Sequence, residues 1–169
     1  HKSDVDGVRL NVTADIAAQR FDEIMHAART HQPEARLEGV LVQQMVVDGV
    51  ELILGSSRDP QLGAMILLGF GGVTAELFED IAIRFPPISR SDALAMIDAL
   101  RSAPLLRGYR GRPLADEPAL VDAIIAFSSL VTTLGDQLLE AEINPLMVRP
   151  RGLGVVAADG LVRLATHTQ

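Results

Sequence analysis

Three short apolar segments separated by turn residues constrain the fold of this chain most strongly. Residues 39–47 and 50–55 are rich in β-branched side chains and flank the dipeptide Asp48-Gly49. This pattern predicts a β-hairpin. Turn residues at 58–63 then precede a third apolar run at 64–68, so we expect an antiparallel meander of three strands in the first half of the chain.

The rest of the chain alternates between helical and strand periodicity. Apolar residues at helical spacing predict helices over 13–31, 89–100 and 116–136, and short apolar runs predict strands over 7–12, 139–148 and 154–158. The pattern leaves residues 73–88 open between helix and strand. Together these elements predict an α+β fold in which helices cover one side of an antiparallel sheet.

Composition excludes several classes of site and partner. The 169 residues contain no Cys, which removes thiolate nucleophiles and Cys-based metal centres and fits a cytoplasmic protein. The formal net charge of −7 argues against binding to nucleic acid or to an anionic membrane, because both need clustered Lys and Arg. No apolar run reaches the roughly 18 residues of a transmembrane helix.

The strongest chemical signal lies near the C-terminus. Glu140, Glu142 and Asn144 alternate along a predicted strand and therefore project from one face. Asp159 follows the next predicted strand. Carboxylate and amide oxygens suit a hard cation such as Mg²⁺. The alternative is a solvent-facing strand that carries carboxylates without binding anything, and spacing alone leaves both interpretations open.

Two further segments have a composition that suits phosphate. The run Gly69-Phe70-Gly71-Gly72 offers bare backbone N–H groups to a phosphate, or it is a plain turn. The run His1-Lys2-Ser3-Asp4 combines imidazole, ammonium, hydroxyl and carboxylate groups. Such a set suits the binding of a phosphoryl group or its covalent capture on the imidazole; the alternative is a polar chain end.

Five motifs, taken in chain order, resemble the ATP-grasp portion of NDP-forming acyl-CoA synthetases. They are His1-Lys2-Ser3-Asp4, Gln43-Gln44-Met45-Val46 with Gly49-Val50-Glu51-Leu52, Arg58-Asp59-Pro60, Gly69-Phe70-Gly71-Gly72, and Glu142-Ile143-Asn144-Pro145. This group includes ADP-forming acetyl-CoA synthetases and is related to the succinyl-CoA synthetase β subunit. The resemblance covers essentially the whole chain and implies an ATP-grasp fold, in which nucleotide lies between two α+β subdomains.

The resemblance also implies roles for individual residues, with ATP or ADP and Mg²⁺ as cofactors. His1 would be a second phosphoryl-carrying residue, and Glu142 would orient the phosphohistidine or support the metal. Asn144 and Asp159 would be the Mg²⁺ ligands. The expected nucleotide contacts are Gln44, Met45 and Val46 at adenine, Glu51 at the ribose and Arg58 on the phosphate side.

Enzymes of this family interconvert an acyl-CoA, ADP and phosphate with a carboxylic acid, CoA and ATP, through an acyl phosphate and a phosphohistidine. The resemblance therefore implies CoA-binding and ligase domains in the same or a partner chain, an acyl-CoA or carboxylate substrate, and an oligomer. We expect residues 1–169 to be an ATP-grasp fragment of a longer polypeptide, lacking the first part of the unit and inactive by itself.

The chain departs from the family pattern at two points, and the second of them favours an alternative function. The family's nucleotide-binding Lys precedes the His-Lys-Ser-Asp motif, so Lys2 is not that residue. The family loop Val-Gly-Gly-Val reads Val5-Asp6-Gly7-Val8 here, and the carboxylate of Asp6 would repel phosphate unless it is turned away or bound to metal. The alternative is a non-catalytic, ligand-sensing domain of a bacterial protein lysine acetyltransferase. A third hypothesis is a structural α+β module whose acidic residues share no common centre.

Overall fold

The structure is a computed structural model that describes residues 6–71 and 80–165. The chain forms two compact units, His1–Met45 and Val46–Gln169.

The N-terminal unit is built around one helix, α1 (Ala17–His31). The helix begins later than predicted, because Thr13 takes part in a turn (Ile16 N to Thr13 O, 3.2 Å) and Ile16 occupies the N-cap position without a side-chain cap. The predicted strand at 7–12 is wrong, because this segment runs without ladder pairing. Strand propensity yields a strand only where the backbone N–H and C=O groups find a partner ladder.

The predicted hairpin around Asp48-Gly49 is also wrong. Residues 39–47, its expected first arm, form no strand, although residues from Val50 onward do. The side chain of Val42 is 91% exposed. Within the described residues, this apolar side chain is therefore not buried in a core. The dipeptide Asp48-Gly49 directly precedes a strand but is not the centre of a hairpin.

The second unit contains an antiparallel sheet of six strands within the described residues. The strands are β1 (Val50–Asp59), β2 (Gly63–Phe70), β3 (Ile81–Arg84), β4 (Leu138–Val148), β5 (Val155–Ala157) and β6 (Gly160–Leu164). Their order is β3-β2-β1-β4, and β5 and β6 pair with successive parts of the other edge of β4. The predicted strands at 50–55, 64–68, 139–148 and 154–158 are confirmed, whereas β6 was not predicted.

Within residues 80–165, two helices cover one face of this sheet, as predicted. They are α2 (Arg90–Ala99) and α3 (Glu117–Leu134). Ser89 caps α2 in a capping box with Asp92, and Asp116 caps α3 by accepting from Ala119 N. Each cap is the first residue of a predicted helix, because a short polar side chain can satisfy the free N–H groups of a first helical turn.

The core lies between the helices and the even-numbered residues of β1 and β2. Its largest fully buried side chains include Leu52, Leu54, Ile66, Leu68, Met96, Ile97, Leu120 and Ile124. Helix α3 is long and apolar enough to cross a membrane by composition alone. Its buried apolar residues belong to this core, although only 33% of that apolar stretch is buried.

Candidate functional site

Two of the predicted site residues on the strands, Glu51 and Glu142, lie on the face of the sheet opposite α2 and α3, which we call the open face. In the register of β1 with β4, Gly55 lies opposite Glu142 and Glu51 lies opposite Met147. Side chains of directly paired residues project to the same side. Since Leu52 and Leu54 point into the core, Glu51 and Glu142 point to the open face.

A β-bulge interrupts the pairing of β1 with β4 beside Glu142. Leu52 pairs with Leu146 and Leu54 pairs with Ile143, so that Asn144 and Pro145 together lie opposite Ile53. The Asn144-Pro145 peptide bond is cis. The backbone N–H of Asn144 donates to the carbonyl of Asp159 across 3.1 Å. This bond brings the bulge and the turn between β5 and β6 together.

The three polar residues near the C-terminus thus form one cluster. The Asn144 side chain donates through Nδ2 to Oε1 of Glu142 at 3.1 Å, and Oδ1 of Asp159 accepts from Gly160 N at 2.9 Å. We call Glu142, Asn144 and Asp159 the acidic cluster. Glu142 and Asn144 are joined through their side chains, whereas Asp159 is joined to Asn144 through the backbone.

The donor set of the acidic cluster fits Mg²⁺. Because Nδ2 of Asn144 donates to Glu142, Oδ1 is the atom of that amide that suits a cation. Within residues 6–71 and 80–165, no group of three or more His, Asp or Glu side chains is placed to hold a metal ion. A cation bound by one amide and one or two carboxylates must complete its shell with water or phosphate oxygens, and Mg²⁺ typically does so.

Glycine at the end of β2 has a structural explanation. The N–H of Gly71 donates to the carbonyl of Glu51 at 2.9 Å, and a Cβ on Gly71 would lie 3.4 Å from that peptide carbon and oxygen. A Cβ on Gly69 would lie 3.0 Å from Cγ2 of Ile81. Close approach to neighbouring strands therefore accounts for both glycines, and their binding of phosphate stays a prediction. Gly72 lies outside the described residues.

Arg58 is held by the protein itself. Its guanidinium donates to the carbonyl of Gly135 at 2.9 Å and forms an ion pair with Asp136 at 2.9 Å. These contacts fasten the connection between α3 and β4 to the end of β1. The expected contact of Arg58 with phosphate remains a prediction, and such a contact would require the guanidinium to exchange these partners.

The predicted adenine contacts fall at the boundary between the two units of the chain. Gln44 and Met45 end the first unit and Val46 begins the second, and these residues form neither helix nor strand. The exposed Glu51 side chain lies on the open face. His1 lies outside the described residues, so the structure does not place its imidazole.

Sequence reasoning missed the partner of Asp6. Both carboxylate oxygens of Asp6 accept from the guanidinium of Arg9, at 2.7 and 2.8 Å. The hydrogen bond from Arg9 lowers the pKa of Asp6 below its ordinary value. The carboxylate is therefore neither free nor in need of a metal. The only signal in the sequence is the opposite charge three positions along a loop.

The fold is that of an α+β domain in which helices cover one face of the sheet and the opposite face carries carboxylate groups. The sequence matches the ATP-grasp domain family over residues 1–164. The chain belongs to this family, which confirms the predicted fold and the resemblance drawn from the motifs.

The chain is similar to several ADP-forming acetate–CoA ligases. It is 43% identical over 156 residues to acetate–CoA ligase [ADP-forming] I of Archaeoglobus fulgidus, an alignment that covers 92% of this chain and 23% of the relative. It is 38% identical over 165 residues to the β subunit of acetate–CoA ligase [ADP-forming] II of Pyrococcus furiosus, covering 97% of this chain and 70% of that subunit. The chain therefore spans less than a quarter of the first relative and about two thirds of the second.

Solved structures show the same similarity. PH1788 from Pyrococcus horikoshii superposes with a TM-score of 0.90 at 36% identity, over 98% of this chain and 70% of that protein. A dinucleotide forming acetyl-coenzyme A synthetase 1 of Ca. Korarchaeum cryptofilum, in complex with coenzyme A and Ca-AMPCP, superposes with a TM-score of 0.88 at 35% identity, over 96% of this chain and 70% of that one. Another structure of that synthetase contains Mg-AMPPCP and has its phosphohistidine segment pointing towards the nucleotide binding site.

Proposed function

We propose that this chain is the nucleotide-binding ATP-grasp part of an ADP-forming acyl-CoA synthetase. Its role is phosphoryl transfer between ATP or ADP and a phosphohistidine, during the interconversion of acyl-CoA, ADP and phosphate with carboxylate, CoA and ATP. The acidic cluster on the open face is the observation that carries the proposal. The similarity to acetate–CoA ligases supports the same reaction class.

Each member of the acidic cluster has a distinct role in this proposal. Asn144 Oδ1 and the carboxylate of Asp159 hold Mg²⁺ together with nucleotide phosphates, while Glu142 orients the Asn144 amide by accepting its N–H. Bound Mg²⁺ supplies compensation for the negative charge of the phosphates. Phosphoryl transfer requires mainly that the protein position the reacting groups and compensate their negative charge. The hydrogen bonds within the cluster position the oxygens that hold Mg²⁺.

The other nucleotide contacts and the phosphoryl acceptor are part of the same proposal. Glu51 binds the ribose, Arg58 binds on the phosphate side, and His1 accepts the phosphoryl group. Gln44, Met45 and Val46 contact adenine. The position of Glu51 on the open face supports its role, because that face also presents Glu142.

The whole protein requires parts beyond this chain. We infer CoA-binding and ligase domains in the same or a partner chain, an acyl-CoA or carboxylate substrate, an oligomeric assembly and a cytoplasmic location. The similarity to a β subunit and to a synthetase bound to coenzyme A supports the partner domains. The acetyltransferase alternative was favoured by the charge of Asp6, and the ion pair with Arg9 removes that support.

The proposal is tested by titrating the full-length protein with Mg-ATP in a calorimeter. We expect Asn144→Ala and Asp159→Ala each to weaken binding at least about tenfold, since loss of groups at a metal site typically costs 10- to 100-fold in affinity. Glu140→Gln is the matched control, because Glu140 lies two residues before Glu142 but pairs with Arg163 at the sheet edge. Unchanged affinity in both cluster variants would refute the assignment.

A further inference from the structure

Two loops of the second unit contain most of its arginines. Residues 101–114 include four Arg and residues 149–154 include two, and neither segment contains Asp or Glu. A backbone hydrogen bond holds the two loops side by side, since the N–H of Arg151 donates to the carbonyl of Leu114 at 2.8 Å. A chain whose formal net charge is −7 therefore carries one locally basic surface.

Three of these arginines form no ion pair within the described residues. They are Arg110, Arg112 and Arg151, and all three are exposed. We call them the arginine patch. A guanidinium group is weakly hydrated and offers its N–H donors in a planar fork, so it suits carboxylates at an interface.

The backbone of Arg110 has a conformation that a long side chain does not favour. Its φ of 53° and ψ of 40° are left-handed, a region that Gly adopts without strain. Gly108 and Gly111 are left-handed as well, with φ of 85° and 79°. Cζ of Arg110 lies 5.3 Å from the centre of the Tyr109 ring, a cation–π contact that restricts the guanidinium. Strained residues of this kind concentrate at functional sites, so the loop is built to present Arg110.

The surroundings of the arginine patch favour a protein surface over a small anion. The same loops present Tyr109, Leu114 and Leu153, which are 49%, 49% and 52% exposed, and Arg and Tyr are enriched at the centres of protein interfaces. A small ligand instead binds in a concave site that covers most of its surface. The concavity beside the loop, of about 230 Å³, is lined by Glu117 as well as by arginines. The carboxylate of Glu117 would repel phosphate there.

We propose that the arginine patch docks an acidic surface of the partner domains that complete the enzyme. This inference rests on the proposed function, which requires those domains beyond this chain. The chain spans 23% of the Archaeoglobus fulgidus ligase to which it is similar, so a protein of that length has further domains that can supply the carboxylates. Nucleic acid is the poorer partner, because the net charge of −7 repels a polyanion.

The test measures how fast phenylglyoxal, which modifies accessible guanidinium groups, reacts with each arginine of the full-length protein and its partner domains. Mass spectrometry of the peptides gives the rate at each position. We expect the arginine patch to react at least about fivefold more slowly than Arg29 at low ionic strength, and to lose this protection in about 1 M salt, because salt screens an interface of opposite charges. Arg29 is the internal reference, since it is exposed and forms no ion pair within the part of the chain that the structure describes.

Arg110→Gly removes one guanidinium of the patch without straining the fold, because Gly adopts a φ of 53° readily. We expect the urea midpoint not to fall, and the rates at Arg112 and Arg151 to rise at least about threefold as the partner is held less tightly. Arg36→Gly is the matched control. It removes the same charge from a loop of the first unit, where the Arg36 side chain is 89% exposed, and it should leave those rates unchanged.

Several results would overturn the inference. The patch is not covered if its arginines react as fast as Arg29 at low ionic strength, and its charge does not hold the partner if Arg110→Gly leaves the rates at Arg112 and Arg151 unchanged. Protection that requires added inorganic phosphate, or that nuclease treatment removes, identifies a different ligand. If Arg110→Gly does not fold, Arg112→Met takes its place, with the rates at Arg110 and Arg151 as the readout. Failure of the unmodified protein to bind Mg-ATP would instead refute the proposed function, since protection of the patch requires no nucleotide.

Discussion

Asp80 is a buried carboxylate whose removal should measurably lower the free energy of unfolding of the second unit. Its side chain lies just before β3 and is 6% exposed. Oδ1 accepts from the backbone N–H of Arg101 at 2.7 Å, and Oδ2 accepts from that of Ser102 at 2.8 Å. These donors belong to the turn that follows α2, so Asp80 ties the beginning of β3 to the end of that helix.

Replacing Asp80 by Ala leaves both N–H groups without their acceptor. An unsatisfied buried donor costs about 1–3 kcal/mol. Both bonds are only partly buried, so water can reach the donors, and we therefore expect Asp80→Ala to lower the free energy of unfolding by about 1–3 kcal/mol. Asp80→Asn retains one carbonyl oxygen and should lose about half as much. Equilibrium urea unfolding followed by circular dichroism measures these differences.

The stability contributed by Asp80 should also depend on pH. Burial raises the pKa of Asp80, but hydrogen bonds from Ser102 and Arg101 lower the pKa by more, so that it lies below the ordinary value of 3.8. A carboxyl whose pKa is lower in the folded than in the unfolded state stabilises the protein above the unfolded pKa. This contribution is lost as pH falls below about 4. The reasoning is refuted if Asp80→Ala unfolds within about 0.5 kcal/mol of the unmodified protein at neutral pH, the scatter of ordinary surface substitutions.

Two further substitutions test contacts made by side chains of the second unit. Ser128 is 2% exposed and its Oγ accepts from Ile88 N at 2.8 Å, so Ser128→Val should cost about 1–3 kcal/mol in urea unfolding. Ser129→Ala, which removes only a hydroxyl bonded to the carbonyl of Ile125 in its own helix, is the control, and equal effects of the two would contradict the prediction. Arg58→Met breaks an ion pair whose partner, Asp136, is 97% exposed, so the urea midpoint should hardly move. A fall in Mg-ATP affinity without a change in that midpoint supports a phosphate contact, whereas unchanged affinity excludes one.

The elements that the sequence predicted well are those whose determinants lie close together in the chain. Helix α2 begins after Ser89 and α3 after Asp116, because each cap bonds a backbone N–H within its own first turn. Strands β1 and β2 are joined by the short turn after Asp59, whose carboxylate accepts from Gln61 N and Leu62 N at 2.8 Å. Local chemistry of this kind is visible without knowledge of the fold.

The strands predicted at 7–12 and 39–47 failed for the opposite reason. A run of β-branched residues shows that a segment fits a half-buried pleated surface, but not that a neighbouring strand exists to pair with it. Leu10 is 68% exposed and Leu41 is 79% exposed, so these segments have the composition of strands without the packing of strands. Strand pairing is a property of two segments, and a pattern within one segment cannot establish it.

The acidic cluster could be predicted only in part from the sequence, and the bulge in β4 explains why. Strict alternation from Glu142 would place Leu146 on the open face beside Asn144, yet Leu146 is 2% exposed and pairs with Leu52 in the core. One extra residue at Asn144-Pro145 shifts the alternation, so that the strand presents polar groups before the bulge and buries apolar groups after it. Pro145 was the available signal, because Pro has no N–H to donate to a ladder and is confined in sheets to edges, strand starts and bulges. The spacing of the polar residues correctly grouped Glu142 with Asn144, but only the register of β4 with its neighbours could bring Asp159 to them.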